Sequence, residues 1–131
     1  MDKILNFLVV GLGGAVGSML RYAVTLLGTW LNGVAFNGST HNMGGIAATF
    51  AVNITGSFLI GLLGGYCKDQ TMLLLLTVGL CGGFTTFSTF SQQNVRMLQE
   101  GRVGSALFYS IVTVVVCILA AWFGSRLAPA K

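Results

Sequence analysis

A chain of 131 residues is long enough for one domain. With 54% hydrophobic and only 8% charged residues, it is too apolar to cover itself as a soluble domain. The formal charge of +4 comes from seven Lys and Arg scattered along the chain, without a cluster that could track phosphates, so nucleic acid is not an expected partner.

Four long runs carry no charge or almost none: residues 4–28 (interrupted by Arg21), 46–66, 71–95 and 103–125. Each suits the roughly 20 residues that cross a bilayer as a helix, and all are too long for barrel strands. The first run lacks a convincing small-residue cleavage site behind a short apolar core, so it is kept as a helix and not a signal peptide. The expected fold is an all-α membrane protein, with residues 1–131 forming a single four-helix transmembrane domain.

Four crossings place both termini on one side. Lys3, Lys68, Arg126 and Lys131 then lie opposite Arg96, Arg102 and Arg21, and four against three gives almost no orientation bias. Insertion in both directions, as an antiparallel homodimer, follows as an expectation.

In the first run Gly11, Gly13, Gly14 and Gly17 do not spell a dinucleotide fingerprint, and no strand precedes them. Gly13-x-x-x-Gly17 instead fits close helix contact, as do Gly61-x-x-x-Gly65 and Gly79-x-x-x-Gly83. Arg21 is the one charge well inside a run. An intramembrane arginine costs about 2.5–3.5 kcal/mol on insertion scales, so it has a partner, a wet cavity, or a helix end from which to reach the interface. Gly28 to Met43, rich in Asn, Gly, Ser and Thr, reads as a surface loop, with His41 a solvated residue of it.

The second run places Thr49, Asn53 and Ser57 at i, i+4 and i+8, a polar stripe on one helix face. Such a stripe either joins helices or lines a path, and the Asn53 amide has N–H donors that could replace water around an anion.

The third run holds Gly82-Gly83-Phe84-Thr85-Thr86-Phe87-Ser88-Thr89-Phe90-Ser91. Two glycines followed by crowded hydroxyls read as a broken helix, because hydroxyls can rebond freed backbone groups. At membrane depth, irregular backbone persists only inside protein or beside a polar path. The alternative is a continuous helix whose Ser and Thr bond back to their own carbonyls. Phe87 and Phe90 fall within about 60° of one another on a helix, and a ring edge carries weak positive charge. The fourth run adds Tyr109 and Thr113 at i, i+4.

Asp2, Asp69 and Glu100 are the only acids, and all sit at the ends of runs. A small multidrug exporter of similar size needs an intramembrane carboxylate, which is lacking. A non-conducting assembly subunit would use the glycine contacts but leaves the hydroxyl-rich break unexplained. No Ser/His/Asp or metal constellation points to an enzyme. The three cysteines, Cys67, Cys81 and Cys117, lie in or beside apolar runs with no Cys-x-x-Cys pair, which favours buried packing over metal or disulfide chemistry.

The motif at 82–91 resembles the signature of the small bacterial fluoride channels called Fluc or CrcB. Gly13-Gly14-x-x-Gly17-x-x-x-Arg21-Tyr22, Val52-Asn53-x-x-Gly56-Ser57-Phe58 and Leu98-Gln99-Glu100-Gly101 extend the likeness over essentially the whole chain. The resemblance implies a dual-topology homodimer in the bacterial inner membrane, with two antiparallel pathways for passive fluoride export. It implies that Phe87 and Phe90 form the ring pair of each pathway, with Asn53 as its amide and Tyr109 and Thr113 in its polar track. Thr49 and Ser57 join the expected pathway and Arg21 stands near its entrance. Backbone carbonyls of Gly82 and Thr85 from each subunit would hold a central structural sodium ion. Gln93 departs from the pattern, standing where relatives usually have glutamate.

Overall fold

The computed structural model describes residues 2–36 and 43–129, all of them in helices or short connections. In chain order, α1 is Asp2–Phe36 and α2 is Met43–Tyr66. Residues 70–84 form α3, whose middle, Leu74–Cys81, is π-helical. Then come α4, Phe87–Gln99, and α5, Val103–Leu127. The third crossing is therefore α3 plus α4, interrupted at Thr85 and Thr86, both with extended backbone. Among the described residues four stretches are long and apolar enough to cross a membrane: Lys3–Ala35, Met43–Tyr66, Gln70–Gln99 and Val103–Leu127.

The expected loop from Gly28 to Met43 is corrected in its first part, because residues 28–36 continue α1. Packing overrides the loop-like composition there. Gly28 and Gly44 lie so close that a Cβ on either would meet the other's carbonyl oxygen, and this contact carries α1 on and starts α2 at Met43. His41 and its neighbours at 37–42 lie outside the described residues. At about 1.5 Å per residue α1 is some 50 Å long, against a hydrocarbon core of about 30 Å, so it tilts or projects beyond the core.

Glycine seams set the arrangement of the crossings. A Cβ at Gly13 would stand 2.5 Å from the Leu75 carbonyl oxygen, and one at Gly83 2.5 Å from that of Gly14. Gly17 is pressed against Leu80 and Phe84 in the same way, which locks α1 to α3 along Gly13, Gly17, Gly79 and Gly83. Gly61 meets Ala121, and Gly124 meets Phe58, so α2 lies equally close to α5. The expected small-residue contacts are thus made within one chain. Lipid-like surroundings give apolar side chains no reason to cluster, so close backbone approach and dispersion hold these pairs.

The turn from α4 into α5 is a Schellman cap. Arg102 N–H donates to the Met97 carbonyl (2.8 Å) and Gly101 N–H to that of Leu98 (3.0 Å). Gly101 has φ +74°, a left-handed conformation that glycine adopts without Cβ strain. This cap folds α5 back so that Phe90 and Met97 pack on Ala106 and Tyr109, with Ile46 and Phe50 of α2 beside them. Most large apolar side chains face outward, among them Phe7, Trp30, Phe108, Ile118 and Trp122. Thr49, Thr86 and Thr113 are buried instead, which is the polarity a membrane imposes.

Replacing Gly17 with leucine should separate α1 from α3 and destabilise the protein by about 1–3 kcal/mol, as overpacked sites do. Gly33→Leu, on the same helix but with open space around its Cβ position, should change little. Thermal unfolding of both variants in detergent checks this, and equal transition temperatures would remove the seam's role.

Candidate functional site

The site is built on the interruption between α3 and α4, and Asn53 of α2 holds that interruption open. Thr86 N–H donates to Asn53 Oδ1 (2.8 Å) while Asn53 Nδ2 donates to the Thr86 carbonyl (3.1 Å). One side chain amide thus pairs with both backbone groups of a residue that has left its helix, a need that hydrocarbon makes absolute. Thr86 also caps α4: its hydroxyl accepts from Thr89 N–H (3.2 Å) and donates to Thr89 Oγ1 (3.0 Å). Thr85 ends α3, with both its N–H and its hydroxyl donating to the Cys81 carbonyl, each at 2.9 Å.

These bonds redirect two donors. In a continuous helix Thr86 N–H would go to the Gly82 carbonyl and Thr89 N–H to that of Thr85. Here the first goes to Asn53 and the second to the Thr86 hydroxyl, so the carbonyls of Gly82 and Thr85 are released from the helix ladder. Gly82 is exposed and Thr85 half-buried in the single chain. Among the described residues no group of three or more His, Cys, Asp or Glu gathers. Oxygen atoms of this kind suit a hard cation.

On one side of Thr86 lies a cavity of about 170 Å³, lined by Asn53, Ser57, Phe87, Phe90, Thr113 and Cys117 together with Thr86 and Val114. Phe87 and Phe90 have ring centroids 5.5 Å apart at 45°, and Phe90 and Tyr109 5.1 Å apart at 52°. The three rings form a tilted series. Phe90 is only 8% exposed but Phe87 is 76% exposed, so the cavity is open on the Phe87 side. Thr113 is 5% exposed, and its hydroxyl is the one fully buried side-chain polar atom without a hydrogen-bond partner among the described residues. Asn53 uses one amide hydrogen on Thr86 and has a second to offer.

A second cavity, about 270 Å³, lies on the other side of Thr86, between α1 and α2. Arg21, Ser18, Thr25, Thr49 and Thr89 line it, making it a hydroxyl-rich pocket around one half-buried guanidinium. The Thr49–Asn53–Ser57 stripe therefore divides. Asn53 and Ser57 reach the aromatic cavity, whereas Thr49 belongs to the Arg21 cavity, and Thr86 borders both.

Gln93 bridges three helices. Its Nε2 donates to the Gly45 carbonyl (3.1 Å) and to Thr49 Oγ1 (2.9 Å), and its Oε1 accepts from the Tyr109 hydroxyl (2.9 Å). Thr49 has given its own proton to Gly45 (2.9 Å), so Gln93 supplies the donor that joins them. An amide, with one donor end and one acceptor end, satisfies this position without ionising. Ser110 adds a second tie between α5 and α4, donating to Asn94 Oδ1 at 2.8 Å.

Two roles escape a reading of spacing alone. Asn53 as the clamp on Thr86 depends on a contact across 33 residues, with no local pattern to announce it. Cys117 as a cavity residue was legible in principle, since Tyr109, Thr113 and Cys117 fall at i, i+4 and i+8 on one face of α5. Its thiol reads as packing by residue type, which hides its position.

Residues 8–125 match the family described as CrcB-like protein, Camphor Resistance (CrcB). The chain is 42% identical to a protein of Thermus thermophilus named fluoride-specific ion channel FluC, over 95% of this chain and 94% of the relative. Proteins of the same name from Agrobacterium fabrum (41%, covering 94% and 95%) and Flavobacterium psychrophilum (37%, covering 91% and 93%) are similarly related.

Asn53→Leu should leave the Thr86 N–H and carbonyl unpaired in a buried place, at about 1–3 kcal/mol for each. The expected result is a lower unfolding transition and faster amide exchange confined to residues 85–89. Unchanged exchange in that segment would mean that the interruption holds itself without the clamp.

Proposed function

The chain belongs to the CrcB family, and from that premise we propose that it is a multi-pass channel of the bacterial inner membrane that conducts fluoride passively out of the cell. The observation that carries the reading is the buried, unpartnered Thr113 hydroxyl, set in one cavity with the Asn53 amide and the Phe87 and Phe90 rings. Fluoride holds its water strongly, so a selective path must replace that shell with donors. A fixed cation in the narrow part would bind the ion and slow its exit. Thr113, Ser57 and the free amide hydrogen of Asn53 supply hydrogen bonds, and ring edges supply weak positive charge. Many modest contacts favour entry without trapping. Tyr109 supports the pathway by packing on Phe90, held in place by Gln93. Arg21, in the adjoining cavity with Thr49 on its wall, would draw the anion toward Thr86 from the entrance.

The functional unit is an antiparallel homodimer. Phe87 stands open in the single chain, and a second copy would supply the missing wall and double the pathways by symmetry. The nearly even distribution of Lys and Arg supports insertion in both directions. Where two such copies meet, the released carbonyls of Gly82 and Thr85 would hold a sodium ion, whose charge would support the packing and favour anions nearby.

Liposomes holding the purified protein should release fluoride far faster than chloride. Phe87→Ile keeps the bulk but loses the ring quadrupole, so flux per reconstituted dimer should fall about tenfold or more with a stability change below about 1.5 kcal/mol. Wild-type rates in that variant would reduce Phe87 to packing. Reporter tags at the C-terminus should reveal both orientations in cells, and two added lysines beside Lys68 should shift nearly all copies to one. Exchanging sodium for a bulky organic cation should lower the unfolding transition of the dimer. No dependence on sodium would remove the central ion.

A further inference from the structure

Tyr109 packs on Phe90 and also borders a separate groove of about 340 Å³ between α2, α4 and α5. Ile46, Ala47 and Phe50 of α2 form one wall, and Phe108 and Val112 of α5 form the other. Phe108 is 71% exposed, so the groove opens on the outer surface of the chain. Its polar groups gather at one end. Arg102 stands just before α5 and Ser105 lies in that helix's first turn, where the fourth crossing begins. From Arg102 to Val112 the helix runs about 15 Å, at about 1.5 Å per residue, which is the depth of one leaflet in a hydrocarbon core about 30 Å thick. Arg102 Nη1 donates to Glu100 (3.4 Å), a solvent-accessible pair that contributes little by itself. A guanidinium has five N–H donors, so most of the fork is left to meet an anion.

We propose that this groove binds one acyl chain of an anionic phospholipid, with the lipid phosphate on Arg102 and Ser105. The guanidinium fork matches the phosphate oxygens in geometry as well as charge, and the Ser105 hydroxyl adds a donor. Ile46, Phe50, Tyr109 and Val112 would take the chain over the depth of one leaflet. Those apolar walls accept any lipid tail, so selection falls to the charge at the rim. A basic group where a span meets the interface favours anionic headgroups, whereas a zwitterionic headgroup brings an ammonium that opposes Arg102. The inference stands on the four membrane crossings and does not depend on conduction.

The test is native mass spectrometry of the full-length protein, equilibrated in detergent with phosphatidylglycerol and phosphatidylcholine of identical acyl chains. The protein should retain phosphatidylglycerol about fivefold over phosphatidylcholine, the ratio that one basic residue at a membrane surface gives. Arg102→Gln should bring the ratio near one. Arg96→Gln removes the same charge from α4 outside the groove and should keep the preference. Ala47→Trp fills the groove and should cut retention of both lipids, with its unfolding transition in detergent checked beside it. Should that variant not fold, Ala47→Leu, a smaller filling of the same groove, decides. Equal retention of the two lipids by the unaltered protein overturns the selection by charge. A preference that persists in Arg102→Gln overturns Arg102 as the headgroup contact, and undiminished retention in the folded Ala47 variant overturns the groove as the seat of the chain. An unaltered protein that keeps neither lipid overturns the site altogether and leaves a second copy as what covers the groove.

Discussion

The amide of Asn53 is the fixed point of the structure. A membrane gives no water to a backbone that leaves its helix, so an interruption at depth exists only where protein supplies both a donor and an acceptor. Asn53 supplies both to Thr86, from a helix that is itself fixed by glycine contacts on either side. From that pairing follow the restart of α4, the placement of Phe87 and Phe90 on its first turn, and the release of the Gly82 and Thr85 carbonyls. The side chain that secures the interruption is thus also one that lines the aromatic cavity. A substitution at 53 changes two things together, and flux data there need a folding measurement beside them.

Around this point the polar groups sort into two compartments that share Thr86. One is aromatic, with hydroxyl and amide groups; the other is hydroxyl-lined and contains the Arg21 guanidinium. The full charge of Arg21 thus stands in one compartment, while neutral groups line the aromatic one. Gln93 joins Gly45, Thr49 and Tyr109 through a neutral group, tying α4 to α2 and α5 without an ionisable carboxylate.

Much of this is legible in the chain. Crossing number, the interruption near residue 85, and the glycine seams follow from charge-free length, hydroxyl crowding and small-residue spacing, because lipid makes those requirements strict. The extension of α1 through residues 28–36 is not legible, since Asn- and Gly-rich composition speaks for a loop and only the Gly28–Gly44 contact outweighs it. The division of Thr49 from Asn53 and Ser57 is hidden for another reason. A helical stripe gives a shared face but not which neighbours its two ends meet, and here α1 covers one end while α4 and α5 cover the other.

The π-helical stretch Leu74–Cys81 carries a constraint of a different kind. Its backbone bonds span five residues where those of an α-helix span four, and the Thr77 hydroxyl donates to the Leu73 carbonyl just before it. Four of its eight residues are leucines, and Gly79 among the others is fixed by its contact with Gly13. The number of residues is fixed as well, because a change in length would alter the rotation accumulated across the stretch and with it the facing of Gly83 onto Gly14. In an alignment of relatives this segment should hold its glycine at 79, vary among apolar letters elsewhere and admit no gaps, so that much of its conservation would be visible only as length.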